Sequence, residues 1–332
     1  VSRLSQGAAS AGAEPAARPE ATSLRTVERE GVVWLESAGP GWRAAFSTRL
    51  GGVSGGAFRS LNLSLAVGDD ADAVLENRRR LAAAAGFAEG SLVVARQVHG
   101  VRVEGVGADD RGRGAADQSD AVPETDGLWT TTPDLPVSVS VADCVPVVVS
   151  AGGAAGQLGV AVLHAGWRGM VAGILARGAE SLTELGPPSA AVVGPSIGPC
   201  CFTVGEDVAA RFERAWPGST HRGRVDLWEV ARRQLEASGV PTECIAVARV
   251  CTVCDHRFFS HRRDRGRTGR QMAVAWLTSG GYGSGAVDGG SSVRYQADAG
   301  HGPTAASREA DTHRRRLDGP GETPGMGRRE AT

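Results

Sequence analysis

Lysine does not occur in this 332-residue chain, so all 36 basic side chains are arginine. That absence excludes a Schiff-base lysine and the phosphate-binding lysine of a P-loop. An excess of charge of either sign is missing too. The formal net charge is −1, whereas a dedicated nucleic-acid binder would carry a basic surplus. No window of about 18 apolar residues occurs, which argues against a membrane-spanning helix. The first twenty residues lack the apolar core of a secretory signal. The six cysteines are too sparse to form a disulfide scaffold in a chain of this length. Together these features lead us to expect a cytoplasmic protein with no nucleic-acid or membrane partner. The motifs GxGxxG, GxxxxGK[ST] and H-x-E…P-C-x-x-C are also missing.

What is present is glycine, 47 residues of it, and a core pattern running from 29 to 278. Short Val- and Ile-rich runs bounded by Gly or Pro predict strands over 32–36, 44–48, 92–98, 137–141, 145–149, 159–163, 190–193, 245–250 and 271–277. Helices are predicted over 71–85, 170–185, 206–215 and 227–237, the first, second and fourth closed by Gly86, Gly186 and Gly239. Asp226 with Glu229 has the form of a capping box. No linker divides the pattern, so we expect a single α/β domain. Residues 1–28 and 279–332 read as disordered by composition, the second an Arg-rich solvated tail. Residues 105–120 read as a surface insertion.

Three strand ends carry polar groups suited to chemistry: Gln97-Val98-His99-Gly100, Ala142-Asp143-Cys144-Val145 and His164-Ala165-Gly166-Trp167-Arg168. His99, Cys144 and His164 form a reasonable Zn²⁺ set, since two imidazoles and a thiolate leave one position open. Each also has a purely structural alternative, as a packed thiol or a satisfied core imidazole. Cys251 and Cys254 have CxxC spacing but no second CxxC, so they are not expected to form a metal site. Cys200 and Cys201 are adjacent and could not both point inward from one strand. Arg49 precedes the glycine-rich run 51–56, which could offer backbone N–H groups to an anion.

Read in order, these residues are similar to a known family. Phe46-Ser-Thr-Arg49-Leu-Gly-Gly-Val-Ser54, Ser60-Leu-Asn62-Leu, Asn77-Arg78, Gln97-Val-His-Gly100 and Thr125-Asp-Gly127 open the resemblance. Ala142-Asp-Cys-Val-Pro146, His164-Ala-Gly-Trp-Arg-Gly169, 194–202, Cys251-Thr252, Phe259-Ser-His-Arg-Arg-Asp264 and Gly269-Arg270 complete it. The series resembles the multicopper polyphenol oxidoreductases, the laccase-domain proteins. It covers about 31–278.

The resemblance implies a layered α/β/β/α (α+β) domain with mixed β-sheets flanked by helices. It implies Zn²⁺ held by His99, Cys144 and His164, a site that Cu²⁺ could also occupy. The implied activity is phosphorolysis of adenosine, inosine and methylthioadenosine to base and ribose 1-phosphate, with adenosine deamination besides. Purine nucleosides and inorganic phosphate are then the partners, and a monomer is the expected state. Cys144, Asp143 and His164 are the candidate catalytic groups, with Arg49, Asn62, Gln97 and Arg168 as candidate substrate contacts. One departure is His261, which stands where an aromatic residue is common.

The alternatives are a copper oxidase of phenols, a hydrolase with Cys144 as nucleophile and His164 as base acting on peptidoglycan precursors, and a binding module working through the Arg-rich tail. The seven histidines contain no His-X-His pair, so a multicopper cluster is not expected.

Overall fold

The computed structural model describes residues 22–152, 156–279 and 293–294, all within one compact unit, Val1–Tyr295. The strands are β1 (Arg25–Arg29), β2 (Val32–Gly39), β3 (Trp42–Ser47), β4 (Val93–Val94), β5 (Val103–Gly105), β6 (Gly127–Thr130), β7 (Val137–Val141) and β8 (Val145–Gly152). Then come β9 (Leu158–Ala165), β10 (Pro188–Val193), β11 (Thr220–His221), β12 (Arg224–Val225), β13 (Ile245–Val247), β14 (Gln271–Leu277) and β15 (Val293–Arg294). The helices are α1 (Ala71–Ala85), α2 (Trp167–Val171), α3 (Ile174–Glu180), α4 (Glu206–Ala215) and α5 (Leu227–Ala237).

One sheet has seven strands in the order β15-β1-β2-β3-β14-β7-β4, and a second has six in the order β13-β10-β8-β9-β6-β5. Most pairs are antiparallel, but β4–β7, β5–β6 and β10–β13 are parallel, so both large sheets are mixed. Alternation along β14 sorts its residues into two cores. Ala273, Ala275 and Leu277 face Val148, Val160 and Val162 of the second sheet. Met272, Val274 and Trp276 face Leu81 and Ala84 of α1. On the far side of the second sheet, Val145, Val147 and Leu163 pack on Ile174 of α3 and Leu235 of α5. The layers are therefore α/β/β/α. Central strands covered on both faces explain why β8 and β14 read as continuous apolar runs.

α1 matches its predicted span because both ends are specified. The Asp70 side chain accepts from the Ala73 N–H at 2.8 Å, and Gly86, at φ 85°, donates to Ala82 O. α4 and α5 also match, and the Asp226 carboxylate accepts from the N–H groups of Trp228 and Glu229. Glu229 does not close the box; it pairs with Arg232.

The predicted helix 170–185 is two short helices, broken where Gly173 takes φ 91°. The strand expected over 92–98 shrinks to Val93–Val94. All of β1 but Arg29 falls within the segment read as disordered, and 293–294, within the expected tail, pair with it. The remainder of those two calls lies outside the described residues, apart from 22–24 and 279. The insertion 105–120 is docked on the core. Buried Arg78 donates to the carbonyls of Gly114 and Ala115, and the Val94 N–H donates to Arg113 O. Among the described residues, no helix is long and apolar enough to cross a membrane.

Candidate metal centre and its pocket

The three ends singled out in the sequence meet. His99 lies in the loop after β4, Cys144 in the turn between β7 and β8, and His164 near the end of β9. Their ligating atoms all lie within 4.8 Å of one another. The two imidazoles meet edge to face, with ring centroids 4.8 Å apart. Gly166 makes that closeness possible: a Cβ there would stand 2.8 Å from His99 Cδ2 and 3.4 Å from Cys144 Sγ. His99 and Asp143 both hold positive φ, at 63° and 88°. Such conformations cost about 1–3 kcal/mol each and persist only where the surroundings fix them.

The group that fixes His99 is Asp126, which is fully buried just before β6. Its Oδ1 accepts from the His99 N–H at 2.9 Å and lies 2.8 Å from His164 Nδ1. Its Oδ2 accepts from the N–H groups of Gly100 at 2.7 Å and Val98 at 3.2 Å. Its carbonyl accepts from the His164 N–H. A carboxylate on the second nitrogen of a histidine fixes tautomer and ring orientation, leaving Nε2 for a ligand.

The electrostatics agree with this geometry. Burial opposes charge on both Cys144 and His164, but each favours the charged form of the other. Facing His164 and His99, the thiol is drawn down to about 6. Facing Cys144 and Asp126, His164 is pushed up to about 9. Asp126 is itself held below the usual carboxylate range: burial works against this, but His164 and the loop N–H groups outweigh it. Two imidazoles and a thiol whose ligating atoms lie this close are a donor set suited to a borderline-soft divalent ion such as Zn²⁺.

These groups line a cavity of about 390 Å³, within the range of small-molecule sites. Its apolar wall includes Trp167, Ile197, Phe202 and Leu227, and its polar wall includes Arg96, Arg262, Arg270 and His261. Burial pulls Arg270 below the ordinary guanidinium value, opposed by the negative charge of Cys144 and Asp143.

The other candidates are distributed unevenly. Gln97 lines the cavity, but its amide is pinned to β7, donating to Ser140 O and accepting from the Ser140 N–H. Asp143 lines it with both oxygens engaged, accepting from Thr252 Oγ1 at 2.6 Å and from the Arg262 N–H at 2.7 Å. Asn62, fully buried, does not line it; its Oδ1 accepts from the Arg270 N–H. Arg168 stacks on Trp167 at 4.4 Å and is not part of the lining.

Arg49 also lies away from the cavity lining. Its guanidinium sits over Phe259 and donates to Arg59 O. Three N–H groups of the adjacent glycine run are already engaged within the protein. The N–H groups of Gly52, Val53 and Ser54 are spent on Ser60 Oγ, Asn77 Oδ1 and Ser60 O. Gly51 and Gly52 are glycine because a Cβ would meet Gly31 O at 2.4 Å and Ser60 O at 2.2 Å.

Asp126, Arg262 and Arg270 were given no role from the sequence, although all three lie in the motifs quoted above. The assumption that Cys251 and Cys254 lack a partner pair also fails. Cys200 and Cys201 sit in a turn rather than a strand, and both sulfurs reach Cys254.

Comparison with known proteins places this geometry in context. The family model described as multi-copper polyphenol oxidoreductase laccase matches residues 43–278. The purine nucleoside phosphorylase YlmD of Geobacillus stearothermophilus is 41% identical over 263 residues, covering 74% of this chain and 95% of YlmD. The adenosine deaminase RL5, from an unknown prokaryotic organism, is 37% identical over 242 residues, covering 68% of this chain and 91% of RL5. The crystal structure of YlmD from Geobacillus stearothermophilus superposes with a TM-score of 0.69 at 40% identity, covering 76% of this chain and 98% of that one.

Proposed function

The chain belongs to the multi-copper polyphenol oxidoreductase laccase family, and on that premise we propose that it is a zinc-dependent purine nucleoside phosphorylase. The observation that carries the reading is one cavity joining the His99–Cys144–His164 set to the arginines Arg262 and Arg270 and to an apolar wall. Adenosine, inosine and methylthioadenosine are the proposed nucleosides, and inorganic phosphate the second substrate.

Phosphorolysis breaks the bond between ribose C1′ and the base nitrogen while a phosphate oxygen bonds to C1′. The bond electrons leave with the base, which must gain a proton or a hydrogen bond. Arg262 and Arg270 hold the phosphate, because guanidinium offers paired donors to oxyanions. Asn62 is a positioning residue, fixing the backbone that carries Arg270. Trp167, Ile197, Phe202 and Leu227 receive the flat base and exclude water. Asp143 ties the Arg262 backbone and Thr252 to the turn that bears Cys144. His99, Cys144 and His164 would hold Zn²⁺, which supplies a Lewis acid with an open position. The same property would serve adenosine deamination as a secondary activity, in line with the name of the relative RL5.

A second reading has its own observation. Cys144, His164 and Asp126 form a thiolate–imidazole–carboxylate series, which in a metal-free enzyme would be a nucleophile, base and orienting acid. Metal content separates the two. Oxidation of phenols by several coppers is not supported. Among the described residues, the two groups able to hold a metal contain only the two histidines His99 and His164.

The test is anaerobic purification with metal analysis, followed by chromatography of products from adenosine or inosine with phosphate. Free base and ribose 1-phosphate in equal amounts are expected. If no ribose 1-phosphate forms at any phosphate concentration, the phosphorylase reading is wrong.

A further inference from the structure

The geometry points to a second metal site, a tetrathiolate Zn²⁺ centre formed by Cys200, Cys201, Cys251 and Cys254. All four sulfurs lie within 4.8 Å of one another, with Cys201 Sγ 3.4 Å and Cys200 Sγ 3.7 Å from Cys254 Sγ. In a tetrahedral Zn–S₄ unit with bonds of about 2.3 Å, neighbouring sulfurs stand roughly 3.8 Å apart. A disulfide requires about 2.05 Å and would employ only two of the four.

Packing does not account for the cluster. Cys200 and Cys254 are exposed, so no apolar burial draws their sulfurs together. The turns are also built for thiolates. Cys251 Sγ accepts from the Gly198 N–H at 3.3 Å, and the N–H groups of Val253 and Cys254 face the same sulfur. Backbone donors aimed at the first sulfur of a C-x-x-C turn spread the charge of a metal thiolate. All four positions are filled by protein, which makes this a structural centre rather than a catalytic one.

Such a centre would hold together two turns that carry the pocket. One turn contains Ile197, whose N–H donates to Asp143 O, and Phe202, which lines the cavity. The other contains Thr252, whose hydroxyl donates to Asp143 Oδ1. Arg263 donates to the carbonyls of Thr252 and Val253. The ion would therefore join the two turns on either side of the residue preceding Cys144.

The experiment is metal analysis of the full chain purified anaerobically with a reductant. The expected result is two zinc equivalents per wild-type chain. One should remain in the double variant Cys200→Ser/Cys254→Ser, and one, the other, in Cys144→Ala. A second measurement on the wild type avoids any folding defect of the variants. Co²⁺ titrated into stripped protein should give, for one equivalent, the intense thiolate-to-metal absorption of a four-sulfur tetrahedral ion. The remaining equivalent should give the weaker spectrum of a two-nitrogen, one-sulfur ion. Zinc content that the double variant does not lower by one equivalent from the wild-type value, or no zinc left in Cys144→Ala, overturns the site. Iron in place of zinc, or an unalkylated mass two hydrogens lighter than the reduced chain with two fewer cysteines open to alkylation under denaturing conditions, overturns it in favour of an iron centre or a disulfide.

Discussion

Replacing Asp126 with Asn removes one charge and changes one oxygen to an amide nitrogen at a fully buried position. If the amide oxygen keeps the place of Oδ1, it still faces His99 N–H and His164 Nδ1. The new NH₂ group then points at the N–H groups of Gly100 and Val98, which Oδ2 had accepted from at 2.7 and 3.2 Å. The opposite flip orphans the other pair. One or two donors are thus left unsatisfied, depending on whether His164 changes tautomer to accept from the amide, at about 1–3 kcal/mol each. A loss of about 3 kcal/mol corresponds to roughly 6–12 °C in Tm for a domain of this size. Because the carboxylate also orients His164, metal affinity should fall about 10- to 100-fold.

The assay is calorimetry of chelator-stripped protein together with competition titration of zinc, each on wild type and Asp126→Asn. Acid sensitivity gives an independent check. The Asp126 carboxyl is held below its ordinary range, so its stabilisation is present above the unfolded carboxylate pKa and is lost as pH falls through the depressed value. The variant should lack that part of the acid limb. Unchanged melting and unchanged zinc affinity would refute the role assigned to Asp126.

Gly166→Ala should leave the sheets folded but sharply reduce zinc stoichiometry, because the new Cβ would stand 2.8 Å from His99 Cδ2; metal analysis beside circular dichroism checks it. Arg270→Ala should raise the phosphate KM or lower kcat/KM about ten- to a hundred-fold, the loss of one charge-assisted contact of about 1.5–3 kcal/mol, with zinc retained. Equal damage to a phosphate-independent deamination would make Arg270 structural. In stripped protein, iodoacetamide labelling of Cys144 should rise through about pH 6 rather than near 9.0, read by peptide mass spectrometry, and zinc should suppress it.

Local signals were legible where both ends of an element are written in neighbouring residues. Asp70 and Gly86 bracket α1, and Asp226 starts α5, so these spans follow from sequence. Gly173 inside a helical pattern was not decisive, since only its φ of 91° turns a tolerated glycine into a break. The ligand set His99, Cys144 and His164 was readable through the motif series, and the structure brings its atoms together. Arg49, the arginine expected to meet phosphate, lies outside the cavity lining, which holds Arg96, Arg262 and Arg270. A glycine run beside Arg49 has the composition of an anion loop, and only the approach of Gly31 O and Ser60 O shows that Gly51 and Gly52 serve packing. The cysteine cluster was hidden for a similar reason: its two pairs lie about fifty residues apart, joined by the Ser196–Cys251 bridge. Nothing in a local window reports that.

Residues 142–144 carry the chain from one sheet to the other, because β7 belongs to the seven-stranded sheet and β8 to the six-stranded one. His99 follows a strand of the first, His164 lies on a strand of the second, and Cys144 stands on the crossing. The three side chains thus come together only where the two sheets meet, so an ion held by them would touch both. A bound ion would then act as a rivet through the seam, adding about 4 kcal/mol when free metal exceeds its Kd a thousandfold. Metal scarcity would be felt first as loosened cohesion between the two sheets, and protease cleavage near that seam would rise before any helix melts.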